Sequence, residues 1–589
     1  MKKKFFQYVT QYITTSKLIL FLTIGLLCCF DFIILYIISP PHFGSNDDIG
    51  FLCLYSGIQT GTPSNIAQFT GIIWSTLFSS LYSFFPAIPW YPLLHIVIIF
   101  FAILTISYIT TLVLIYKGFP IISLFIINTF SYFTLFGYHA SNIQFTTTPA
   151  LCCAGAICCI FILLFFHGLD RFVYYYSTVA LVVLSFFSII CRLEISALSN
   201  VSYICTLILV LCYDYKFCNP LLITLFQHIV SKFKSNKKAF LNVIIILLFL
   251  NAINAIANAH YFSSEEYKLW KEQTKVGQTY LDRHHNSYSD DFSVYNDNGW
   301  SESYYNLVNK WYALDKKTND LYSYKKVVDS LHVNPYSPVK TILIAFLECG
   351  KRSLVLLFVC DIIYVLFMLS CHNNKINRII FLIPFIIMHI LLLYLASTGR
   401  ITDRVLTSLL FMFFTMGMFL FICNLSKFKS HKFTVILIVI LCIFSSIINI
   451  RSLHKQTGKT YIDDSIALIN LWNYASNDSS HFFIYDNSFY IPANINPFSI
   501  DTYSLCGFGN VAWWGTPFSR LIWTEQLTNN GYDSFYTENL FDEKVLFAST
   551  GDLDSDLTDY LREEYGNRIT YVEVYDNNIF RLYKLKLSE

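Results

Sequence analysis

The feature that most constrains this chain is a series of about eleven apolar runs, each near the length of a membrane-spanning helix. About 20 residues of helix cross the hydrocarbon of a bilayer, and in lipid only helices and closed barrels satisfy their own backbone. Of 589 residues, 55% are hydrophobic and 14% are charged, whereas soluble domains carry about 25% charge. The sequence therefore predicts a polytopic α-helical membrane protein. The predicted spans are 17–38, 92–116, 118–137, 149–166, 173–190, 195–213, 240–259, 353–370, 378–396, 404–424 and 433–450.

Basic residues predict which side of the membrane each loop faces, because short cytoplasmic loops are enriched in Lys and Arg. The short loops on one side of the predicted spans hold only Arg192, Arg400 and Arg404. We therefore predict a plasma-membrane protein with a cytoplasmic N-terminus and an extracellular C-terminal domain. The segments on the cytoplasmic side hold Lys2, Lys3, Lys4, Lys117, Arg171, Lys216, Lys232, Lys234, Lys237, Lys238, Lys375, Arg378, Lys427, Lys429 and Lys432.

Residues 1–450 are predicted to form the transmembrane domain, which carries two external loops. The first loop spans residues 39–91 and the large loop spans residues 260–352. Within the first loop, residues 66–88 are apolar but are rich in Ser and Thr and end near two prolines. We expect a re-entrant or interfacial helix there, and a second interfacial helix over 339–352.

Residues 451–589 are predicted to form a separate external domain of the α/β class. A helical pattern around Asp464–Tyr474 precedes a strand at His481–Tyr485. The strands Ile569–Tyr575 and Ile579–Tyr583 are expected to form a hairpin, because three turn-forming residues separate them. A segment of this length is sufficient for an independent core.

Charged residues near the ends of the spans gather on the predicted external face. Charges close to hydrocarbon are costly and tend to mark a substrate or ion site. Acids and arginines together on one side indicate chemistry on an anionic substrate embedded in the membrane. The residues concerned are Asp47, Asp48, Arg192, Glu194, Arg400, Asp403 and Arg404.

Two interpretations apply to each of these groups. In the first loop, the acids Asp47 and Asp48 either belong to a helix cap or supply a general base or metal ligand. Arg192 and Glu194 either neutralise each other or leave the guanidinium to hold a phosphate. The group Arg400, Asp403 and Arg404 has two cations for one acid, and the surplus favours phosphate binding at least as much as simple pairing.

A polar motif follows the third predicted span. His139, Asn142 and Gln144 are unusual in so short an external loop, and their side chains could hydrogen-bond to sugar hydroxyls. The tail of the same motif is explained structurally, because Thr148 and Pro149 suit the cap and first turn of the next helix.

The layout of spans and loops resembles that of the GT-C superfamily of integral-membrane glycosyltransferases, which includes protein O-mannosyltransferases and the lipid A aminoarabinose transferase. This resemblance implies a catalytic acid in the first loop, at Asp47 or Asp48. Family members often carry an Asp after the third span, where this chain has His139, Asn142 and Gln144. The Lys-Pro-Pro found after the acid in many members is absent here.

The resemblance further implies transfer of a sugar from a polyprenyl-phosphate donor to a glycan, lipid or protein acceptor at the outer face, with inversion. The departing lipid phosphate requires cations, for which Arg192, Arg400 and Arg404 are the candidates. The acceptor hydroxyl requires a base. A divalent cation, magnesium or manganese, stays open as a cofactor and would bind at Asp47 or Asp48.

Rival functions share parts of this pattern. A transporter or flippase for a lipid-linked glycan also needs cations near a phosphate, but it should carry polar residues deep in several spans, where Asp31 and Asp361 are the clearest acids. A polysaccharide polymerase or ligase would use the same arginines and donor. A fourth alternative is a non-catalytic membrane scaffold. We expect contacts with membrane lipid and no nucleic-acid partner.

Overall fold

The computed structural model describes residues 16–588, apart from 167, 213–220, 282, 284, 313–314, 332–335, 371–374, 400, 425–431, 457–458, 490–494, 514–519 and 534–535. The chain divides into two compact units. The membrane unit comprises Met1–Pro41, Leu93–Ala255 and Ile342–Thr457. The loop unit comprises His42–Pro92, Ile256–Thr341 and Gly458–Glu589.

The described residues contain ten helices that are long and apolar enough to cross a membrane. They correspond to ten of the eleven predicted spans, so the polytopic helical class is confirmed. The predicted span 118–137 is not one of the ten. Its residues form the helix Ile121–Ser131, the π-helical segment Tyr132–Phe136 and the short helix Gly137–Ser141.

The long helices follow the apolar runs closely. Their bounds are Lys17–Ile38, Trp90–Tyr116, Thr147–Phe165, Arg171–Ile190, Leu193–Cys212, Lys237–Tyr261, Lys351–Ser370, Lys375–Ser397, Asp403–Leu409 continued through the π-helical segment Leu410–Phe414 into Thr415–Asn424, and Lys432–Gln456. The helix Leu221–Ser235 lies in a predicted cytoplasmic segment, and the helix Pro338–Glu348 bridges the division between the two units.

The helix Thr147–Phe165 forms the centre of the membrane unit. It is the most buried of the ten candidate spans, at 94%. A Cβ atom on Gly155 would lie 2.7 Å from Cδ1 of Leu184 on the neighbouring helix Arg171–Ile190, so a larger residue there would require the leucine side chain to move. Small residues at such positions let membrane helices pack closely.

The two π-helical segments contact each other within the membrane unit. The rings of Phe136 and Phe411, one from each segment, have centroids 5.7 Å apart. The Asn449 side chain donates hydrogen bonds to the carbonyl oxygens of Phe133 and Thr134, at 3.2 and 2.8 Å. Since π-helical turns are rare and occur frequently at functional sites, the nearby helix ends are candidates for one.

The loop unit is built from short helices and one sheet. Its helices are Asn46–Ser56, Ile72–Phe84, Glu265–Leu281, Phe292–Asn296, Glu302–Asn309, Lys316–Asn319, Leu321–Ser330, Lys459–Ser476, Thr502–Leu505, Arg520–Asn529 and Ser555–Tyr565, with 3-10 turns at Asn487–Phe489, Thr537–Phe541 and Gly566–Arg568. The segment predicted as a re-entrant or interfacial helix forms Ile72–Phe84, whose 13 residues extend about 20 Å. That length is short of a full membrane crossing.

The predicted α/β character of the C-terminal region is confirmed by a five-stranded sheet. Two-residue strands lie at β1 (His42–Phe43) and β2 (Asn142–Ile143), and the sheet uses β3 (Phe482–Tyr485), β4 (Val511–Trp513), β5 (Val545–Ser549), β6 (Ile569–Asp576) and β7 (Arg581–Leu587). The strand order is β4-β3-β5-β7-β6. The first three strands are parallel, while β6 and β7 form the predicted antiparallel hairpin with a register shift between Glu573 and Tyr575.

The predicted transmembrane domain, residues 1–450, includes both external loops. In the structure, most of both loops instead groups with the C-terminal region in the loop unit. The large loop shares its core with the C-terminal sheet, and burial of this apolar surface stabilises the pair as one unit. The shared aromatic side chains are Tyr280, Tyr295, Trp300, Tyr304 and Tyr324 from the loop and Phe482, Trp523, Phe547, Tyr560 and Tyr583 from the C-terminal region.

Candidate functional site

Three arginines of the membrane unit lie at the N-terminal ends of membrane helices. Arg192 immediately precedes the helix Leu193–Cys212, and its carbonyl accepts the first helical hydrogen bond from Ser196 at 2.8 Å. Arg352 and Arg404 are each the second residue of their helices. A helix N-terminus carries a partial positive charge and favours anions. Adding a guanidinium there concentrates positive potential instead of neutralising it. We call Arg192, Arg352 and Arg404 the arginine cluster.

Two members of the arginine cluster share one aromatic ring. The Cζ atoms of Arg192 and Arg404 lie 5.0 and 5.8 Å from the centroid of the Phe145 ring. Arg192 also donates from Nη1 to Thr146 Oγ1 at 2.9 Å. Cation–π contacts hold the two like charges near one face of the protein. The structure therefore brings together two of the arginines predicted to hold a phosphate.

The Asp403 carboxylate binds an arginine that the sequence did not single out. Arg352 Nη2 donates to both carboxylate oxygens, at 2.6 and 2.8 Å, and the Arg352 guanidinium stacks 3.6 Å from the Tyr138 ring centroid. Beyond the two interpretations given for Arg400, Asp403 and Arg404, the carboxylate reaches a residue 51 positions away. Phosphate binding by this group stays a prediction. Arg400 itself lies outside the described residues.

The ion pair between Arg192 and Glu194 is present but weak. Arg192 Nε donates to Glu194 Oε2 at 3.0 Å, yet the side chain of Glu194 is 71% exposed against 18% for Arg192. Exposed pairs of this kind contribute about 0–1 kcal/mol. The predicted pair with Glu194 is therefore present, while phosphate binding by Arg192 stays a prediction. The arginine cluster thus supplies three positive charges, against two negative charges from Glu194 and Asp403.

The polar motif after the third predicted span is buried, not exposed in an open loop. His139, Asn142 and Gln144 are all buried. Within the described residues, His139 Nε2 and Asn142 Oδ1 have no hydrogen-bond partner. The His139 ring packs edge-on against Phe411, at 5.3 Å between centroids. Buried polar atoms usually have a partner, so these two are candidates to bind a ligand. Sugar binding by this motif stays a prediction.

The two acids of the first loop differ in their environment. Asp48 is fully buried in the loop unit, where its carboxylate accepts hydrogen bonds from Ser45 Oγ at 2.6 Å and Tyr91 Oη at 2.9 Å. Asp47 is only partly buried. Both lie in the first turn of the helix Asn46–Ser56, whose cap residue Ser45 binds the Asp48 carboxylate instead of a backbone N–H group. Asp47 is therefore the more accessible of the two candidate bases.

The described residues contain no group of three or more His, Cys, Asp or Glu side chains suited to hold a metal ion. Asp47 and Asp48 supply two carboxylates at most, and Asp48 already accepts two hydrogen bonds. Magnesium is commonly bound by one or two carboxylates together with water and substrate phosphates. Asp47 therefore fits this role better than Asp48. A cation at this position stays a prediction.

The predicted site residues fall into separate units. Asp47 and Asp48 belong to the loop unit, whereas the arginine cluster, Glu194, Asp403, His139, Asn142 and Gln144 belong to the membrane unit. The structure brings the second set together within its own unit, around residues 138–146. That the acids of the first loop face the same pocket stays a prediction.

No family model and no curated protein matches this sequence. In structure, the chain is similar to ArnT from Cupriavidus metallidurans in the apo state, with a TM-score of 0.39 and 8% identity over 97% of this chain and 98% of that one. For the same protein bound to undecaprenyl phosphate, the TM-score is 0.35, with 9% identity over 96% and 97% of the two chains. The Archaeoglobus fulgidus oligosaccharyltransferase in the apo form has a TM-score of 0.38 and 12% identity, over 94% of this chain and 69% of that one.

Proposed function

We propose that this protein is a membrane glycosyltransferase that moves a sugar from a polyprenyl-phosphate donor to an acceptor at the outer face of the plasma membrane. The reaction is a single displacement with inversion: the acceptor oxygen forms a bond to the anomeric carbon as the bond to the lipid phosphate breaks. The acceptor hydroxyl gives its proton to a base, and the lipid phosphate leaves with the electron pair. The acceptor is a cell-surface glycan, lipid or protein.

The arginine cluster is the observation that carries this proposal. Its three guanidinium groups begin three membrane helices, and two of them share the Phe145 ring. A lipid phosphate lies at the membrane interface, where helix ends are placed. Preorganised cations at this position stabilise the charge that develops on the leaving phosphate. Planar guanidinium groups bind phosphate through paired hydrogen bonds.

Asp47 is proposed as the general base and Asp48 as the residue that positions it. The Asp48 carboxylate is held by Ser45 and Tyr91 inside the loop unit, so it fixes the first turn of the helix that also carries Asp47. A base must come within hydrogen-bond reach of the hydroxyl it deprotonates, and the partly exposed carboxylate meets this requirement better. A divalent cation at Asp47 would supply further neutralisation of the donor phosphate.

Transfer is favoured over transport by the partners of the two acids within the membrane spans. Asp31 accepts a hydrogen bond from Thr129 Oγ1 at 3.2 Å. Asp361 Oδ2 lies 3.2 Å from His389 Nε2. Each acid therefore bonds to a neighbouring helix. Such contacts fit a role in helix packing, as expected for polar pairs between membrane helices.

The first experiment measures binding of undecaprenyl phosphate to the purified full-length protein in nanodiscs. We expect Arg192→Ala and Arg404→Ala each to weaken binding about tenfold, the loss of one charged hydrogen bond. Arg171→Ala is the matched control, because Arg171 begins a membrane helix at the predicted cytoplasmic end. Undecaprenol, which lacks the phosphate, should bind to neither the wild type nor the variants. Equal binding of the alcohol and the phosphate would contradict the proposal.

A second experiment tests the proposed orientation. Single cysteines introduced as Lys234→Cys and Asp290→Cys are labelled in intact cells with a membrane-impermeant maleimide, with the parent protein as the background control. We expect labelling at position 290 and none at position 234 until the cells are permeabilised. The reverse pattern would place the C-terminal region in the cytoplasm, where no extracellular acceptor exists.

A further inference from the structure

A cavity of about 400 Å³ lies within the loop unit, apart from every residue proposed above for catalysis or phosphate binding. Its walls come from three segments that are distant in sequence: Ile66, residues 261–267 and the helix Arg520–Asn529. Small-molecule sites typically have volumes of about 300–1,000 Å³ and combine apolar walls with a few placed polar groups. This cavity has the size and the mixed lining of such a site.

One wall is aromatic and is held in place by hydrogen bonds. The Tyr261 hydroxyl accepts from the Ala67 N–H group and the Tyr267 hydroxyl donates to the Ala67 carbonyl oxygen, both at 3.2 Å. The Tyr267 ring also stacks on Phe262 at 4.2 Å between centroids. Because both hydroxyls bind the backbone, this wall offers mainly ring surface to a ligand, chiefly from the half-buried Tyr261, since Tyr267 is only 6% exposed.

A second wall is the helix Arg520–Asn529, which is anchored to the first loop by side chains. Asn529 Nδ2 donates to the Thr60 carbonyl oxygen at 2.7 Å, and Gln526 Nε2 donates to the Gln59 carbonyl oxygen at 2.9 Å. Ser64 Oγ donates to Glu525 Oε2 at 3.0 Å. This last bond holds the carboxyl of Glu525, which is one of the lining residues of the cavity. Both walls are therefore fixed before any ligand binds.

The lining charges of the cavity are acidic. Glu266 and Glu525 line it, and among the residues whose side chains the structure describes no lysine or arginine does. Burial raises the pKa of Glu525 above its ordinary value, against the opposing effect of the Ser64 hydrogen bond. Carboxyl groups in this setting bind hydroxyl or ammonium groups and disfavour phosphates and carboxylates. The cavity is therefore suited to a ligand that is rich in hydroxyls and carries no negative charge.

A strained residue supports the aromatic wall. Phe69 adopts a left-handed backbone conformation with φ of 64°, which is rare for a bulky residue. Its ring lies 6.0 Å from Trp270, and it packs against the buried cluster formed by Tyr267, Trp270 and Leu521. Strain of this kind persists only where the surroundings impose it, and it occurs preferentially at ligand-binding sites.

We propose that this cavity binds a saccharide unit that is neutral or carries an amino group. The apolar face of a sugar ring packs on the tyrosine rings, and its hydroxyls bind Glu525 and the neighbouring polar side chains. We assign this saccharide to the acceptor of the transfer reaction, an assignment that rests on the proposed function. Binding itself requires neither the donor nor the arginine cluster.

The experiment presents the full-length protein in nanodiscs to an array of neutral, amino-bearing, uronic and phosphorylated di- and trisaccharides. We expect binding to one or more neutral or amino-bearing members and none to the anionic ones. Glu525→Gln should weaken this binding about tenfold, the loss of a charged hydrogen bond. Thr528→Trp should abolish it, because the exposed Thr528 lines the cavity and the larger side chain would fill it. Glu265→Gln is the matched control, because Glu265 pairs with Lys268 and does not line the cavity.

Failure of this proposal can be distinguished from failure of the proposed function. An absence of binding to every member of the array, preferential binding of anionic saccharides, or unchanged binding by both cavity variants would overturn the saccharide site. Asp47→Asn and Arg404→Ala should leave saccharide binding unchanged. If the array binds as expected while the wild type neither binds nor uses polyprenyl phosphate, the cavity stands and the transferase assignment is lost.

Discussion

The arginine cluster of the membrane unit and the carboxylate-lined cavity of the loop unit are opposite in charge and in construction. The cluster consists of three cations at helix ends, two of them on one aromatic ring. The cavity has two carboxyl groups and tyrosine rings, and its described side chains include no basic one. In a chain with only 14% charged residues, this separation of basic from acidic side chains indicates two kinds of ligand, one anionic and one rich in hydroxyl groups. Specificity arises as much from the wrong ligand being repelled as from the right one being bound.

The largest expected effect comes from removing the proposed base, which should change the rate of transfer and leave both binding sites unchanged. Asp47→Asn should lower the rate of lipid-phosphate release by at least about 100-fold, the usual contribution of a general base, while binding of phosphate and saccharide stays unchanged. Asp48→Asn is the structural control, since the amide oxygen can accept one of the bonds from Ser45 and Tyr91 and the amide NH2 group can donate to the other hydroxyl oxygen. Single-turnover assays in nanodiscs measure both rates. An unchanged rate in Asp47→Asn would remove the base assignment.

Variants of Arg352 test whether this member of the arginine cluster has a structural role, through its ion pair with Asp403. Its side chain is 9% exposed and Asp403 is 39% exposed, so Arg352→Ala leaves a carboxylate that water can partly reach. We expect a loss of about 2 kcal/mol in stability, below the value for a fully buried pair. Arg352→Lys keeps the charge and should lose less. A thermal shift assay in detergent compares the two variants, and equal shifts would show that the charge of Arg352 is irrelevant.

Salt should distinguish the two ligand sites. Raising NaCl from about 0.05 to 0.5 M shortens the Debye length severalfold, so phosphate binding at the partly exposed arginines should weaken about threefold. Saccharide binding should be insensitive, because its ligand carries no negative charge. Titrations of undecaprenyl phosphate and of the best array saccharide at both concentrations measure this difference. A parallel loss at both sites would contradict the assignment of two chemistries.

The smallest expected effect concerns the pH dependence of stability at Glu525. Burial holds the pKa of this carboxyl above its ordinary value, so the folded protein keeps the proton to a higher pH than the unfolded chain does. The stability from this group is complete below the ordinary pKa of about 4.3 and is lost as pH rises through the folded-state pKa. Glu525→Gln should flatten this part of the melting profile, whereas Glu265→Gln should not. An unchanged slope in Glu525→Gln would show that other groups cause it.

Most of the membrane helices could be predicted because apolar length alone determines them. The exception is 118–137, whose residues form the helix Ile121–Ser131, the π-helical segment Tyr132–Phe136 and the short helix Gly137–Ser141. The predicted helix over 339–352 ends at Glu348, because Gly350 adopts a left-handed conformation with φ of 89°. Lys351 and Arg352 therefore begin the next helix. This shift explains why the sequence did not identify Arg352 as a member of the cluster.

The candidate sites depend on contacts between distant segments, which a single sequence does not specify. Asp403 binds Arg352 across 51 positions, a contact that the residues around Asp403 do not indicate. Ser64 and Glu525, which help to shape the cavity, are 461 residues apart. By contrast, Arg192 and Arg404 could be proposed from the sequence, because a cation on the side with few basic residues is informative by itself.

The most direct test of the central claim is photo-crosslinking with a polyprenyl phosphate that carries a diazirine next to the phosphate. Peptide mapping by mass spectrometry then locates the adducts on the full-length protein. We predict adducts within residues 138–146 and at the starts of the helices that begin at Leu193, Lys351 and Asp403, with little labelling by the matched polyprenol. Adducts confined to other segments, or the same pattern with the alcohol, would contradict phosphate binding by the arginine cluster.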